Sequence, residues 1–215
     1  MKCLFRTPLR SPHANRASLL AVAVTALVAL TALPATASAA LVETGACDSA
    51  TLTQPFAKWG DSAPYKLMPG GSFESGAPGW TLSHGASIVS GSEPFGATGS
   101  VGSHSLYLPA GASAESPATC VNAAYPTFRL FARNANLLST VAVQVAYDDP
   151  VVGRVALPVG TIALGTSWKP TLPMLTTSAI QGVLKNGEAQ VSLRFTALTG
   201  STTIDDVFVD PRLAH

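Results

Sequence analysis

Val141-Ala142-Val143-Gln144-Val145-Ala146-Tyr147 is the stretch that decides the fold. Val141, Val143, Val145 and Tyr147 alternate with Ala142, Gln144 and Ala146, the period-two signature of a strand with one buried face. Val191 to Ala197 repeats it, with Val191, Leu193 and Phe195 set against Ser192, Arg194 and Thr196. Outward from these two, short segments follow one another between Gly, Pro and Ser: Trp80 to Leu82, Ala86 to Ser90, Ser105 to Leu108, Thr127 to Arg133, Gly153 to Leu157, Gly160 to Leu164, Lys169 to Thr176 and Ile204 to Asp210. Only Thr177 to Lys185 reads as weakly helical. About ten strands and hardly a helix are satisfied best by an all-β, two-sheet antiparallel β-sandwich.

The first 39 residues read differently. Lys2, Arg6, Arg10 and Arg16 precede an apolar or small run from Ala17 to Leu33, then Pro34 and Ala37-Ser38-Ala39. A basic segment, an apolar segment and a small-x-small site make a cleavable secretory signal peptide. A membrane anchor is the competing reading, but a run of about 17 residues is at the short limit for spanning a bilayer and a cleavage site follows directly. The expectation is a signal peptide over 1–39, a mature start near Ala40, an N-terminal extension over 40–64 packed on the sandwich, and a sandwich domain over 65–215. The mature chain is expected to be secreted, extracellular or envelope-associated, with no membrane attachment after cleavage.

Of 13 Lys and Arg in the chain, the four in the leader depart, leaving 9 against 12 Asp and Glu. The balance becomes about −3 and no basic stripe remains for a polyanion, which argues against nucleic acid as a partner. Cys3 departs too, so Cys47 and Cys120 are the mature pair. In an oxidising compartment they are most simply one disulfide, with two separate buried thiols as the alternative.

Two segments are specific together: Pro69-Gly70-Gly71-Ser72-Phe73-Glu74-Ser75-Gly76 followed by Gly79-Trp80, and Ile204-Asp205-Asp206-Val207. Over roughly Tyr65 to Arg212 this resembles the galactose-binding-like jelly roll of many carbohydrate-binding modules. More narrowly, Trp59-Gly60-Asp61, Ser92-Glu93-Pro94-Phe95, Phe131-Ala132-Arg133-Asn134 and Asp206 to Pro211 resemble a group of uncharacterised exported actinobacterial proteins. The jelly-roll resemblance implies a structural calcium ion held by Glu74 with Asp205 or Asp206, a hard cation on carboxylate and carbonyl oxygens. Phe73 and Trp80 read as core packing, with Phe73 and Glu74 on opposite faces of an opening strand.

Catalytic constellations are sparse. Asp148-Asp149 before Pro150 reads as an exposed turn, and His84, His104 and His215 lack the spacing of a helical zinc site. No nucleophile elbow or phosphate-binding glycine loop is present. The expectation is therefore a non-catalytic extracellular binding module, with polysaccharide as the first ligand class. Trp59, Tyr107 and Trp168 are the rings that could stack on a sugar, Trp168 the most exposed of them by its neighbours Ser167 and Lys169. The alternative is a structural or cell-envelope interaction protein without a small ligand.

Overall fold

In the computed structural model, residues 51–122, 127–176, 179 and 188–210 are described. They form a jelly-roll β-sandwich of two antiparallel sheets. The thirteen described strands are β1 (Lys66–Leu67), β2 (Thr81–Ser83), β3 (Ser87–Ser90), β4 (His104–Leu108), β5 (Ser113–Glu115), β6 (Thr119–Asn122), β7 (Thr127–Asn134), β8 (Thr140–Asp149), β9 (Gly153–Ile162), β10 (Lys169–Pro170), β11 (Met174–Leu175), β12 (Glu188–Thr199) and β13 (Thr202–Asp210). The first sheet runs β10-β7-β13-β4-β3, with β1 beside β13 and β11 beside β7; the second runs β2-β5-β12-β8-β9, with β6 beside β12.

The alternation that announces the fold also places the core. Val141, Val143, Val145, Val191, Leu193 and Phe195 are buried between the sheets. From the first sheet Leu106, Leu108, Leu130, Ala132, Ile204, Val207 and Val209 meet them. Each such side chain removed from water contributes roughly 1.5–3 kcal/mol before the entropy of ordering is subtracted.

Two expected segments, Gly153 to Leu157 and Gly160 to Leu164, are one strand, β9. A register shift between Val143 and Gln144 accommodates the extra residue, so Val143 pairs with Gly160 while Gln144 pairs with Pro158. Pro158 is tolerated because β9 lies at the sheet edge. The expected strand Lys169 to Thr176 is instead two short pieces, and the weakly helical stretch lies almost wholly outside the described residues.

The opening motif is a chain of turns rather than a strand. Phe73 has φ 59°, the left-handed region, so the alternation expected of Phe73 and Glu74 does not apply. Phe73 is nonetheless wholly buried, its ring 5.0 Å from that of Trp80, whose indole N–H donates to the Pro69 carbonyl at 2.9 Å. Gly71 is required beside it: a Cβ there would lie 2.9 Å from the Val207 carbonyl oxygen, and the Val207 amide donates to the Gly71 carbonyl.

The first sheet has a second, smaller core on its outer face. Phe56, Tyr65, Phe131 and Phe208 are buried there together, with Trp59, Phe95 and Trp168 around them. The Phe56 ring is 5.0 Å from Tyr65, 5.4 Å from Phe131 and 5.6 Å from Phe208. Residues 51–65 thus pack against the sheet. The buried Arg129 fixes them: its guanidinium lies 4.1 Å from the Phe56 ring centroid, its Nε donates to the Thr171 carbonyl and its Nη1 to Asp61 at 2.6 Å. Burial works against the Asp61 charge, but hydrogen bonds from Tyr65 and Arg129 outweigh it and hold the carboxyl below its ordinary range.

Candidate functional site

Alternation along the strands of the first sheet sends one set of side chains to the main core and the other to the outer face. Phe131 and Arg133 alternate with Leu130 and Ala132 on β7; Thr203 and Asp205 flank Ile204 on β13; Ser105 and Tyr107 flank Leu106 on β4. This outer face gathers the three rings expected to carry recognition. Tyr107 pairs with Thr203, and Thr203 with Arg133. The Arg133 guanidinium lies over the Trp168 ring, 5.2 Å from its centroid. Trp59 stands 5.4 Å from Phe131, two residues from Arg133 on the same strand.

Trp59, rather than Trp168, is the most exposed of the three at 37%, because Arg133 covers Trp168 and the smaller core backs it. The Trp59 ring lies edge-on to Phe95 at 5.0 Å, and Lys58 Nζ sits 5.7 Å from Trp59 and 5.8 Å from Phe95. These residues, with Thr53, Gln54, Pro55 and the turn Gly96 to Gly99, line a groove of about 340 Å³. A ring flanked by an amide, an ammonium and hydroxyls offers a flat apolar face with polar groups beside it. Among the described residues the outer face of the second sheet offers nothing comparable. There Ala142, Gln144, Ser192, Arg194 and Thr196 carry no ring.

A cluster of carboxylates holds the groove's turn in place. Asp205 is wholly buried and accepts from Ser92 Oγ at 2.7 Å, the Glu93 amide at 2.8 Å and the Asp206 amide at 2.9 Å. Glu93, also wholly buried, accepts from the Phe95 amide at 2.5 Å and the Ala97 amide at 2.8 Å. Glu93 therefore organises the very residues that line the groove. Burial, followed by the charges of Asp205 and Glu93, pushes Asp206 up to about 8; burial pushes Asp205 up to about 6 against its hydrogen bonds. Asp206 sits in the left-handed region at φ 45°, in the irregularity of β13 between Asp205 and Phe208.

Glu74 lies at the same end but has its own donors: the Ser103 amide and hydroxyl and the His104 amide, at 2.9 to 3.0 Å. Burial opposes its charge, yet these bonds prevail and keep it below the ordinary glutamate range. A calcium site would require these carboxylates to turn their oxygens to one point. Glu74 and Asp205 instead accept from separate amides and hydroxyls, Asp206 faces the Glu93 carboxyl, and among the described residues no three Asp, Glu, His or Cys side chains are grouped to hold a metal ion.

Cys120 is buried on β6, while Cys47 lies outside the described residues, as does the leader. Asp148 and Asp149 are the last residues of β8, paired with Arg154 and Gly153, and the turn follows them at residues 150–152: Asp149 accepts from the Val151 and Val152 amides and Asp148 is 3.3 Å from Arg154. Lys58, Gln54 and Phe95 are the lining residues that the sequence reading did not single out as binding groups. An acid followed by Pro, as in Glu93-Pro94, was the available signal for a side chain that caps the amides after it.

No family model matches the sequence, and no curated protein matches it. Solved structures do. The carbohydrate-binding module and catalytic modules of endo-1,4-β-D-xylanase 10B from Clostridium thermocellum, complexed with xylohexaose, match at 15% identity and a TM-score of 0.50, covering 70% of this chain and 29% of that one. A family 11 carbohydrate-binding module from Clostridium thermocellum, in complex with a mixed-linked tetrasaccharide, matches at 14% identity and a TM-score of 0.43, covering 70% and 98%. The chain thus spans under a third of the xylanase structure, and likeness at this identity is likeness of fold. The sandwich is one that carbohydrate-binding modules share.

Proposed function

We propose that this protein is an exported, non-catalytic binding module whose ligand is carbohydrate, taken at the groove beside Trp59. The single observation that carries the reading is the half-exposed Trp59 ring, held rigid against Phe95 and Phe131 and bordered by Gln54, Lys58, Thr53 and Thr98. A ring already fixed loses little entropy on binding, so stacking against a pyranose face is not offset by ordering. The xylohexaose bound in the xylanase structure is consistent with the class but belongs to that protein.

The test is a glycan array on the mature protein with Trp59→Ala beside wild type. Binding to at least one neutral glycan, weakened about tenfold or more by Trp59→Ala, is expected from loss of a stacked ring. Absence of binding to every glycan overturns the reading. A second reading, an envelope interaction protein, draws on the exposed apolar pairs Leu137-Leu138 and Val151-Val152. An empty array with retention on isolated cell envelopes, lost in a Leu137→Ser/Leu138→Ser variant, would select it.

A further inference from the structure

A second groove lies on the same sheet face, about 310 Å³ in volume, lined by Tyr107, Arg133, Asn134, Ala135, Thr166, Ser201 and Thr203 and sharing no residue with the first. Its floor is a row across strands: Tyr107 on β4, Thr203 on β13 and Arg133 on β7 stand opposite one another. Pairing of Lys169 with Ala132 then sets Trp168 beside Arg133. Arg133 is the one charged residue in the lining, and it forms no ion pair among the described residues.

Position and chemistry together define what the row can take. The Arg133 guanidinium lies over the Trp168 ring, and its forked N–H edge suits a planar acceptor with two oxygens, the geometry of a carboxylate. Asp205, the acid nearest along β13, has both oxygens occupied by Ser92, Glu93 and Asp206, so it does not serve as the internal partner. The remaining lining is hydroxyls, an amide and the Tyr107 ring. Asn134 is committed internally, to Ser139, Leu164 and Thr202. The available groups are therefore a fork for a carboxylate, hydroxyls of Thr166, Ser201 and Thr203 for other hydroxyls, and a ring edge. A simple anion would use only the first.

We propose that this groove is a second binding site, specific for a saccharide bearing a carboxylate, a uronic acid unit of a polysaccharide, with Arg133 on the carboxylate. The inference rests on the carbohydrate reading above but on different residues. Acidic glycans would span both grooves, and neutral ones would use the Trp59 groove alone.

The experiment is calorimetric titration of the mature protein with oligogalacturonate, with the same oligomer after reduction of its carboxyls to alcohols, and with acetate. Oligogalacturonate should bind at least tenfold more tightly than the reduced oligomer, with the difference shrinking at high salt. Arg133→Gln should abolish the preference; Trp59→Ala should weaken both oligomers and leave the preference intact. Because Arg133 is exposed, its variant should melt with wild type; if it does not, Thr203→Val and Tyr107→Phe together serve as the test, and should reduce the preference severalfold. Equal affinity for the two oligomers overturns the proposal. So does a preference that survives Arg133→Gln, or acetate competing as well as the oligomer, which would leave only a general anion site. Neutral binding lost in Trp59→Ala, with no effect of Arg133→Gln on either oligomer, overturns this site and leaves the carbohydrate reading standing. No binding of any oligomer overturns both.

Discussion

Arg129 donates to Asp61 at 2.6 Å, joining a central strand of the first sheet to the segment that builds the Trp59 groove. The pair is asymmetric in cost. Arg129 is buried and Asp61 is partly open to solvent, so removing the acid strands a cation in the interior. Asp61→Asn is expected to destabilise by about 3 kcal/mol, the cost of leaving a buried charge without its partner. Denaturant titration measures it, and hydrogen exchange at the Thr53 and Tyr65 amides should show whether the loss is local. A change under about 0.5 kcal/mol would mean the pair is merely superficial.

Asp206 gives the protein a pH dependence of defined sign. Its carboxyl is held up to about 8 in the folded chain, against 3.8 as its reference value, so the folded state binds a proton that the unfolded state releases. The stabilisation is complete below pH 4 and is lost progressively as pH rises to about 8. Asp205, raised to about 6, acts in the same direction over the lower part of that window. A series of denaturation midpoints from pH 5 to 9 should fall with pH, and Asp206→Asn should flatten it. A midpoint that rises across that range in the wild type would contradict the cluster's arrangement.

Gly102 sits under the Glu74 carboxyl. A Cβ there would collide with Glu74 Oε1 and come within 2.9 Å of Ser92 Oγ. Gly102→Ala should therefore dislodge Glu74 from the Ser103 and His104 amides, visible as faster exchange of those two protons with the core strands unchanged. The same samples test the metal. With no three acidic side chains grouped for a metal ion among the described residues, the melting temperature should be the same in chelator and in millimolar Ca²⁺, since a cation held only by the native state would raise it.

Export and the cysteine pair can be checked on one secreted sample. N-terminal sequencing should begin at Ala40, and non-reducing peptide mapping should link Cys47 to Cys120. Closing a loop of roughly 70 residues is worth about 4 kcal/mol in the chain-entropy model, so reduction should lower stability by that order. A product starting at Met1 or free thiols at both positions would refute the secretory reading.

The sandwich was legible because Val141 to Tyr147 and Val191 to Ala197 each bury one face, and burial of one face writes period two into sequence. Strands β5 and β6 were not, since Ser113–Glu115 and Thr119–Asn122 are short and bear small or polar residues, with pairing to β12 doing what composition does not. The rings of the site could be named in advance, but their exposure could not. Trp168 looks free between Ser167 and Lys169, and it is the register of β7 that brings Arg133 over it. Glu93 was hard to read for a related reason: its donors are backbone amides, which leave no mark on residue type, and only the Pro after it signals a cap.

Strand β13 pairs with β7 along most of its length, with β4 over Thr202–Ile204 and with β1 over Phe208–Val209. It is the latest in sequence of the strands described, yet it occupies the middle of its sheet. Until residues 202–210 have emerged, β4 and β7 have no common neighbour, and the aromatic cover of residues 51–65 has no Phe208 to rest on. Such a chain gains its sheet late and all at once, through contacts between residues far apart in sequence. For a polypeptide exported as we propose, lateness of this kind is an asset: the arrangement that completes the sheet also delays it.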